Sequence, residues 1–279
     1  MKRVLITGVN SYVGNKLAKW LEKDANSYVV DKISLRNNKW RYEAFSKYDV
    51  IIHVAGIVHS METRKNKELY YKVNRDLTYE LAKKAKVEGI KQFIFMSSMS
   101  VYGVKNGAID NNTCLIPNSN YGKSKLQAEK LIEELNDDRF KVAILRPPMI
   151  YGKACKGNYR KLAEFATRTP FFPDIDNKRS MLYIDNLTEF IKMLIDDCKQ
   201  GIFLPQNCEY VKTSEMVKLI ASEHGNNICV TKLFNPVLRL LGINIINKVF
   251  GDLYYSNYDN NIRKIKYIDF KESIKITEN

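Results

Sequence analysis

Short apolar runs alternate with segments of helical periodicity through most of the chain. The runs lie at Lys2–Thr7, Val29–Leu35, Asp49–Val54, Lys91–Met96 and Lys141–Leu145. Strands that alternate with helical segments in this way predict an α/β fold, in which a parallel sheet is covered by helices on both faces. Ligands of such sheets collect beyond the carboxyl ends of the strands. The residues that follow each run are therefore the candidates for function.

The turn after the first run has the composition of a phosphate-binding turn. Gly8 and Gly14 stand at the two ends of this turn, and a helical pattern follows them. Glycines there allow a tight bend and close helix packing, so that N–H groups at the helix start face a pyrophosphate. Ser11 replaces the middle glycine of the usual fingerprint, but the turn's position directly after the first strand supports the prediction. The predicted cofactor contacts here are Gly8, Asn10, Ser11, Tyr12, Val13 and Gly14.

The end of the second run bears on the choice of coenzyme. A site for NAD usually has an acidic residue there, about 20 residues past the glycines. At that distance stands Ser34, with Arg36 close behind, whereas Asp31 comes too early in the run. A small polar residue followed by arginine suits a 2′-phosphate, which favours NADP(H) over NAD(H). In the alternative, Arg36 is a solvated loop charge and NAD(H) is the cofactor.

The third run ends on small residues. Ala55 and Gly56 follow it directly and would let a cofactor lie against the strand end. His53, inside the run, is interpreted as a packed structural histidine. His59 lies beyond the strand end, where it is either a substrate contact or an ordinary loop residue.

A tyrosine and a lysine mark the candidate reaction centre. Tyr121 opens a helical segment, and Lys125 stands four residues later, so the two side chains share one helix face. An ammonium beside a phenol is expected to lower the pKa of Tyr121 towards neutrality. Ser98, at the end of the fourth run, would hydrogen-bond the same reacting oxygen. Such a set suits proton transfer on an alcohol or ketone while a cofactor moves the hydride.

The composition limits the kinds of partner that the chain is expected to bind. The net charge of +14 is spread along the chain, so an anionic small molecule is expected as partner and nucleic acid is not. Five cysteines without CxxC spacing argue against a disulfide framework or a zinc site, and no metal is expected. The sequence has neither an apolar run of about 18 residues nor a signal-peptide core. No membrane span and a cytoplasmic location are therefore predicted.

Taken together, these motifs resemble the extended short-chain dehydrogenase/reductase superfamily, in its NAD-dependent epimerase/dehydratase branch. The matching stretches are the Thr7–Gly8 turn, Asp49–Gly56, Asn74, Ser97–Ser98 with Val101–Gly103, the Tyr121/Lys125 pair, and Arg179–Asn186. The resemblance implies a Rossmann-type doubly wound parallel sheet with a small carboxyl-terminal substrate-binding subdomain. The expected boundaries are residues 1–152 and 181–200 for the dinucleotide-binding core, and 153–180 and 201–279 for the nucleotide-sugar-binding subdomain.

Three stretches look like bacterial UDP-4-keto-6-deoxy-N-acetylhexosamine 4-reductases of capsule and O-antigen synthesis. They are Ala55–His59 with Met61, Arg146–Pro148 followed by Lys156–Asn158, and Arg179–Met181. UDP-hexose 4-epimerases also resemble the chain and share its Ser98, Tyr121 and Lys125. A 4-epimerase of UDP-glucose or UDP-N-acetylglucosamine with tightly bound NAD is therefore the alternative to a reductase.

The resemblance also implies roles for individual residues. Tyr121 would be the general acid/base, Lys125 would hold the cofactor ribose and tune Tyr121, and Ser98 would bind the sugar oxygen. Further implied cofactor contacts are Ala55, Gly56, Asn74 and Pro148, and further implied substrate contacts are His59, Met99, Asn158 and Arg179. A homodimer is implied through the helices at Glu68–Val87 and Tyr121–Leu135.

Overall fold

The computed structural model describes residues 1–58, 62–63, 66–233, 250–256 and 265–279. The strands are β1 (Lys2–Thr7), β2 (Tyr28–Ile33), β3 (Val50–His53), β4 (Gln92–Met96), β5 (Gly107–Ile109), β6 (Lys141–Leu145), β7 (Met149–Tyr151), β8 (Phe171–Pro173), β9 (Met181–Tyr183), β10 (Gly201–Phe203), β11 (Cys229–Thr231) and β12 (Leu253–Tyr255). The helices are α1 (Tyr12–Leu21), α2 (Lys67–Tyr70), α3 (Leu77–Val87), α4 (Asn120–Glu133), α5 (Asn158–Arg168), α6 (Ile184–Asp196), α7 (Thr213–Glu223) and α8 (Phe270–Glu278). The chain divides into two compact units, the first of residues 1–103, 114–147 and 187–205, the second of residues 104–113, 148–186 and 206–279.

The first unit is built on a six-stranded parallel sheet. Its strand order is β10-β6-β4-β3-β1-β2, and each neighbouring pair is parallel. The chain leaves β1 for β2 on one side and continues from β3 onwards on the other. The strand order therefore reverses between β1 and β3, and a ligand cleft lies at such a switch point. The predicted doubly wound parallel sheet is confirmed.

The crossover between β2 and β3 is shortened, as its length predicts. Residues 37–48 contain a single 3₁₀ turn, Asn38–Tyr42, instead of a strand and a helix. Trp40 and Phe45 are fully buried there, and they join the apolar cluster that covers one face of the sheet. Two large aromatic side chains thus bury apolar surface that a longer helix covers in other sheets of this kind.

The long helix predicted at Glu68–Val87 is interrupted. α2 ends at Tyr70, a π-helical turn occupies Tyr71–Asp76, and α3 begins at Leu77. Thr78 Oγ1 donates a hydrogen bond to the carbonyl of Asn74 at 2.8 Å, and Asn74 is fully buried inside this turn. Such widened turns occur often at functional sites because they re-aim single residues.

The second unit contains three two-stranded parallel pairs, β5 with β12, β7 with β9, and β8 with β11. Tyr151 is fully buried in this unit, and its hydroxyl lies 2.6 Å from Ser273 Oγ and accepts from Asn207 Nδ2 at 3.0 Å. Residues 104–113, 148–152 and 181–186, which were expected in the core, lie in the second unit, and residues 201–205, which were expected in the subdomain, lie in the first. The strands in these stretches of the second unit pair outside the six-stranded sheet, β5 with β12 and β7 with β9.

The composition led to expectations about disulfides, membrane spans and metal sites. All five cysteines are free thiols. Within the described ranges, no helix combines the length and the apolar character needed to cross a membrane. The same ranges hold no grouping of three or more His, Cys, Asp or Glu side chains that could bind a metal ion.

Gly103 offers a test of the backbone near the end of β4. It closes the 3₁₀ turn Met99–Tyr102 at φ +68°, and a methyl group added there would lie 2.0 Å from the carbonyl oxygen of Ile116. Gly103→Ala is expected to lower the free energy of unfolding by about 3 kcal/mol or more, because left-handed strain and overpacking add. Urea unfolding measures this loss.

Gly89 is the matched control for this substitution. Its φ of +80° imposes the same backbone strain, but a methyl group there meets no described atom within 4 Å. Gly89→Ala is expected to cost only about 1 kcal/mol. Equal losses in the two variants would contradict the steric argument.

Candidate active site

The turn between β1 and α1 is held in a compact form. Gly8 adopts φ +83°, and a methyl group added to it would lie 3.3 Å from Ala55 Cα. Ser11 caps the helix, because its Oγ accepts a hydrogen bond from the Gly14 N–H at 3.2 Å. The serine that replaces the middle glycine of the fingerprint is therefore a favourable N-cap residue.

Gly14 allows α1 to pack closely on the sheet. A methyl group added to it would lie 3.0 Å from Val54 Cγ2 and 3.1 Å from Ile6 Cγ2. Tyr12 and Val13 are the first two residues of α1, so their N–H groups have no acceptor within the helix. Asn10 lies just before this helix start and is exposed. A helix start in this position favours negative charge, so the turn fits a dinucleotide pyrophosphate.

The end of β2 carries a cation in place of the usual acid. Ser34 Oγ lies 3.4 Å from the Arg36 N–H, and the Arg36 side chain is exposed. Asp31 lies within β2, where its carboxylate accepts a hydrogen bond from the Tyr48 hydroxyl at 2.8 Å. The acid of this strand is thus bound within the fold, while an arginine stands at the strand end.

The structure brings together Gly56, Asn74 and Lys125 beyond β3. Asn74 Oδ1 accepts from the Ile57 N–H at 2.8 Å, and Asn74 Nδ2 donates to the Ile57 carbonyl at 3.1 Å. A methyl group added to Gly56 would lie 3.0 Å from Asn74 Oδ1 and 3.4 Å from Lys125 Nζ. The absence of a side chain at Gly56 therefore lets the Asn74 amide oxygen and Lys125 Nζ approach the backbone closely.

His53, the last residue of β3, lies in a chain of hydrogen bonds that leads to Asn74. Its Nδ1 lies 2.8 Å from Thr7 Oγ1, and its Nε2 lies 2.9 Å from Thr78 Oγ1. Thr78 donates to the carbonyl of Asn74, so it accepts from the ring, and the Nε2–H tautomer follows. Burial, together with the nearby charge of Lys125, lowers the pKa of His53 to about 3. The neutral ring supports the structural role predicted for it.

Tyr121 and Lys125 occupy successive turns of α4. The tyrosine side chain is partly exposed, and Ser98 is near enough to its phenol to affect the pKa of Tyr121. The Ser98 hydroxyl donates to Ser100 Oγ at 3.0 Å. Desolvation raises the pKa of Tyr121 to about 12; Ser98 lowers it in part and Tyr70 raises it. The expectation of a lowered pKa is therefore wrong for this structure, because desolvation outweighs the stabilisation of the phenolate.

The ammonium of Lys125 is held at the end of β4. The residue is buried, its Nζ donates to the Met96 carbonyl at 2.8 Å, and it lies 4.5 Å from the Phe95 ring centroid. Burial lowers the pKa of Lys125 to about 7, and the carboxylate of Glu129 offsets part of this effect. The lysine therefore places a hydrogen-bond donor beside Gly56, where it is shielded from water.

A buried ion pair supports the same helix, and sequence reasoning did not assign it a role. Arg146 Nη2 donates to Glu129 Oε2 at 2.7 Å, and its Nη1 donates to the Tyr102 hydroxyl at 3.0 Å. Ser97 Oγ also donates to Glu129. The sequence did contain one signal for this ion pair: Glu129 follows Lys125 by one helical turn, so the two residues share a face of α4.

The remaining candidate residues lie in several places. Met99 is buried, and its N–H donates to the Pro147 carbonyl at 2.9 Å. In the second unit, Pro148 is buried and Asn158 is the exposed first residue of α5. Arg179, also in that unit, donates from Nη1 to the Gly251 carbonyl at 2.9 Å, and burial lowers its pKa. His59 and Met61 lie outside the described residues.

A doubly wound parallel sheet, with a glycine turn at its switch point, defines the Rossmann class of dinucleotide-binding proteins. The model of the NAD dependent epimerase/dehydratase family matches residues 4–203. The chain therefore belongs to this family, and the predicted resemblance and the nicotinamide dinucleotide cofactor are confirmed. It is an enzyme family, so the candidate residues described above are interpreted as parts of an active site.

Curated relatives and solved structures agree with this assignment. The chain is 32% identical over 251 residues to a UDP-glucose 4-epimerase of Vibrio cholerae, covering 79% of this chain and 75% of the relative. It is 28% identical to an N-acetyl-alpha-D-glucosaminyl-diphospho-ditrans,octacis-undecaprenol 4-epimerase of Escherichia coli O157:H7, covering 90% and 82%. A dTDP-4-dehydrorhamnose reductase of Bacillus anthracis in complex with NADP superposes with a TM-score of 0.77 at 19% identity, covering 99% and 98%, which shows the shared fold.

Proposed function

We propose that the chain is an NAD(P)-dependent nucleotide-sugar oxidoreductase that acts at C4 of the sugar. The observation that carries this proposal is the arrangement on α4, where Tyr121 lies near Ser98 and Lys125 lies one turn further, beside Gly56. A phenol near a hydroxyl, with a lysine one helical turn further along, suits proton transfer on a secondary alcohol or a ketone. The two curated relatives described above are both named as 4-epimerases, which supports C4 as the reacting carbon.

The direction that the residues favour is reduction. When bound, a nicotinamide dinucleotide would supply hydride to the C4 carbon of a keto sugar, and the carbonyl oxygen would then need a proton. Because the pKa of Tyr121 is raised to about 12, its phenol is protonated at neutral pH and can supply that proton. Ser98 would hydrogen-bond the same oxygen, and Lys125 would hold the ribose of the cofactor. The product is a C4 alcohol.

The reductase that we propose acts on a UDP-4-keto-6-deoxy-N-acetylhexosamine in the synthesis of a surface polysaccharide such as capsule or O-antigen. The three stretches that resemble such reductases support this substrate. The exposed Arg36 at the end of β2 supports NADP(H), because its charge complements a 2′-phosphate. Asp31 supports it too, since its carboxylate is bound to Tyr48.

A 4-epimerase of UDP-glucose or UDP-N-acetylglucosamine is the second candidate, and the name of the Vibrio cholerae relative favours it. The Escherichia coli relative is named as a 4-epimerase too, but not of a UDP-sugar. In that reaction the hydride removed from C4 returns to the opposite face, so coenzyme is not consumed. Purified protein is therefore incubated with each UDP-sugar without added coenzyme, and separately with the 4-keto sugar and NADPH. Stoichiometric NADPH oxidation with the keto sugar supports the reductase. Interconversion of the C4 epimers without coenzyme contradicts it.

Within this proposal, Asn158 and Arg179 bind the UDP part, and His59 and Met99 contact the substrate. We also propose a homodimer that forms through α2, α3 and α4. Leu69 and Val87 support this surface, because they are 48% and 79% exposed on α2 and α3 despite being apolar. Sedimentation of the purified chain at about twice the monomer mass is expected. A monomer at micromolar concentration would contradict the dimer.

Arg36 gives a direct test of coenzyme choice. Arg36→Ala is expected to raise the KM for NADPH by about tenfold to a hundredfold, because one charge-assisted contact to a phosphate is lost. The KM for NADH is expected to stay within about twofold, since NADH lacks that phosphate. Lys39→Ala, which removes a neighbouring exposed cation, is the control. Equal changes for both coenzymes would contradict a role for Arg36 in binding the 2′-phosphate.

A further inference from the structure

The amino terminus of α4 is capped by a residue far away in the sequence. Glu62 Oε2 accepts hydrogen bonds from the Asn120 N–H at 3.0 Å and from Asn120 Nδ2 at 3.1 Å. Glu62 Oε1 accepts from the Tyr121 N–H at 3.0 Å. Both oxygens of one carboxylate thus bind the backbone of the helix that carries the candidate acid/base residue.

The remaining donors of this helix end are satisfied locally. Ser119 Oγ accepts from the Gly122 N–H at 3.0 Å, and the Lys123 N–H makes the first intrahelical bond, to the Ser119 carbonyl, at 2.9 Å. A helix start leaves its first N–H groups without intrahelical partners. The local cap and the Glu62 carboxylate divide these groups between them. Ser119 holds Gly122, whereas Glu62 holds Asn120 and Tyr121.

A second contact joins the start of α4 to the π-helical turn that contains Asn74. Asn74 itself makes two hydrogen bonds with the backbone of Ile57. The Asn120 side chain makes the second contact, since its Oδ1 accepts from the Tyr71 hydroxyl at 3.4 Å. The π-helical turn that contains Asn74 is thereby tied to the residue that precedes Tyr121.

We propose that Glu62 is a positioning residue for Tyr121: its carboxylate fixes the first turn of α4 and so holds the phenol where it reacts. This inference rests on the proposed function, because it assigns Tyr121 to the reaction. A carboxylate near a helix amino terminus is also favoured by the helix dipole, which strengthens the clamp.

The test compares Glu62→Ala with Ser119→Ala. Each substitution removes a cap from the same helix, so a loss of a few degrees in Tm is expected from both. Only Glu62→Ala releases the Tyr121 backbone, and a small displacement of a reacting group slows chemistry strongly. Glu62→Ala is therefore expected to lower kcat for reduction of the keto sugar by about tenfold to a hundredfold. Ser119→Ala is expected to keep kcat within about threefold, and both keep the wild-type Kd for NADPH.

Amide hydrogen exchange measures the clamp without any substrate. Exchange at Asn120 and Tyr121 is expected to rise about tenfold in Glu62→Ala, while exchange at Gly122 rises in Ser119→Ala. Glu62→Gln keeps one acceptor oxygen and is expected to restore part of kcat and of the protection. Wild-type exchange at Tyr121 in Glu62→Ala, or equal losses of kcat in the two alanine variants, would overturn the proposal. A wild-type protein without turnover on any nucleotide sugar contradicts the proposed function instead, and the exchange result still decides whether the clamp exists.

Discussion

Replacing Tyr121 by phenylalanine is expected to lower kcat by about a hundredfold to ten-thousandfold while the Kd for NADPH stays within about threefold. The substitution removes only the hydroxyl, whose pKa is affected by the nearby Ser98. The ring remains, so the packing of the first turn of α4 is retained. Since the hydroxyl is the proton donor in the proposed reduction, its loss affects the transition state more than coenzyme binding. Single-turnover kinetics with bound NADPH measure the change at the chemical step.

Two companion variants locate the effect. Tyr42→Phe removes the hydroxyl of a tyrosine that is 89% exposed, and its kcat is expected to match the wild type. Ser98→Ala is expected to lower kcat by about tenfold to a hundredfold, and the double variant with Tyr121→Phe falls little below Tyr121→Phe alone. Such non-additivity is expected because both hydroxyls act on one oxygen. Full activity of Tyr121→Phe would remove this residue from the reaction.

The sheet and the spacing of Tyr121 and Lys125 could be predicted because they follow from local patterns. Alternating apolar runs determine a parallel sheet, and residues four apart share a helix face whatever surrounds them. The shortened crossover was predictable from chain length alone. In the structure it holds a 3₁₀ turn, and Trp40 within that turn and Phe45 after it are buried in the core.

Other features depend on contacts between distant residues and left no local signal. The π-helical turn at Tyr71–Asp76 arises within a continuous helical pattern, so periodicity predicted one helix at that place. The pKa of Tyr121 depends on desolvation. A sequence shows which groups are close along the chain, but it does not show how far the fold shields each group from water. The hydrogen bonds of Glu62 to the start of α4 join a loop and a helix that only the fold brings together.

The buried pair of Arg146 and Glu129 carries the second large prediction. Their side chains are 7% and 2% exposed, and the arginine Nε lies 3.2 Å from each carboxylate oxygen. Arg146 comes directly after β6, and Glu129 lies on α4, one turn beyond Lys125. The pair therefore fixes α4 against the end of the sheet. It also places a negative charge close to the ammonium of Lys125.

Removing one partner should be far more harmful than removing both. Arg146→Met leaves the Glu129 carboxylate buried and uncompensated, and it is expected to lower the free energy of unfolding by about 3–5 kcal/mol. Glu129→Leu leaves the guanidinium unpaired and is expected to cost a similar amount. The double variant is expected to lose clearly less than the sum of the two, because no unpaired charge remains. Urea unfolding at pH 7 gives all three values, and losses below about 1 kcal/mol in both single variants would contradict the pairing. If the double variant recovers stability but not kcat, the pair acts on the reaction through Lys125, since only an ionised Glu129 offsets the desolvation of that ammonium.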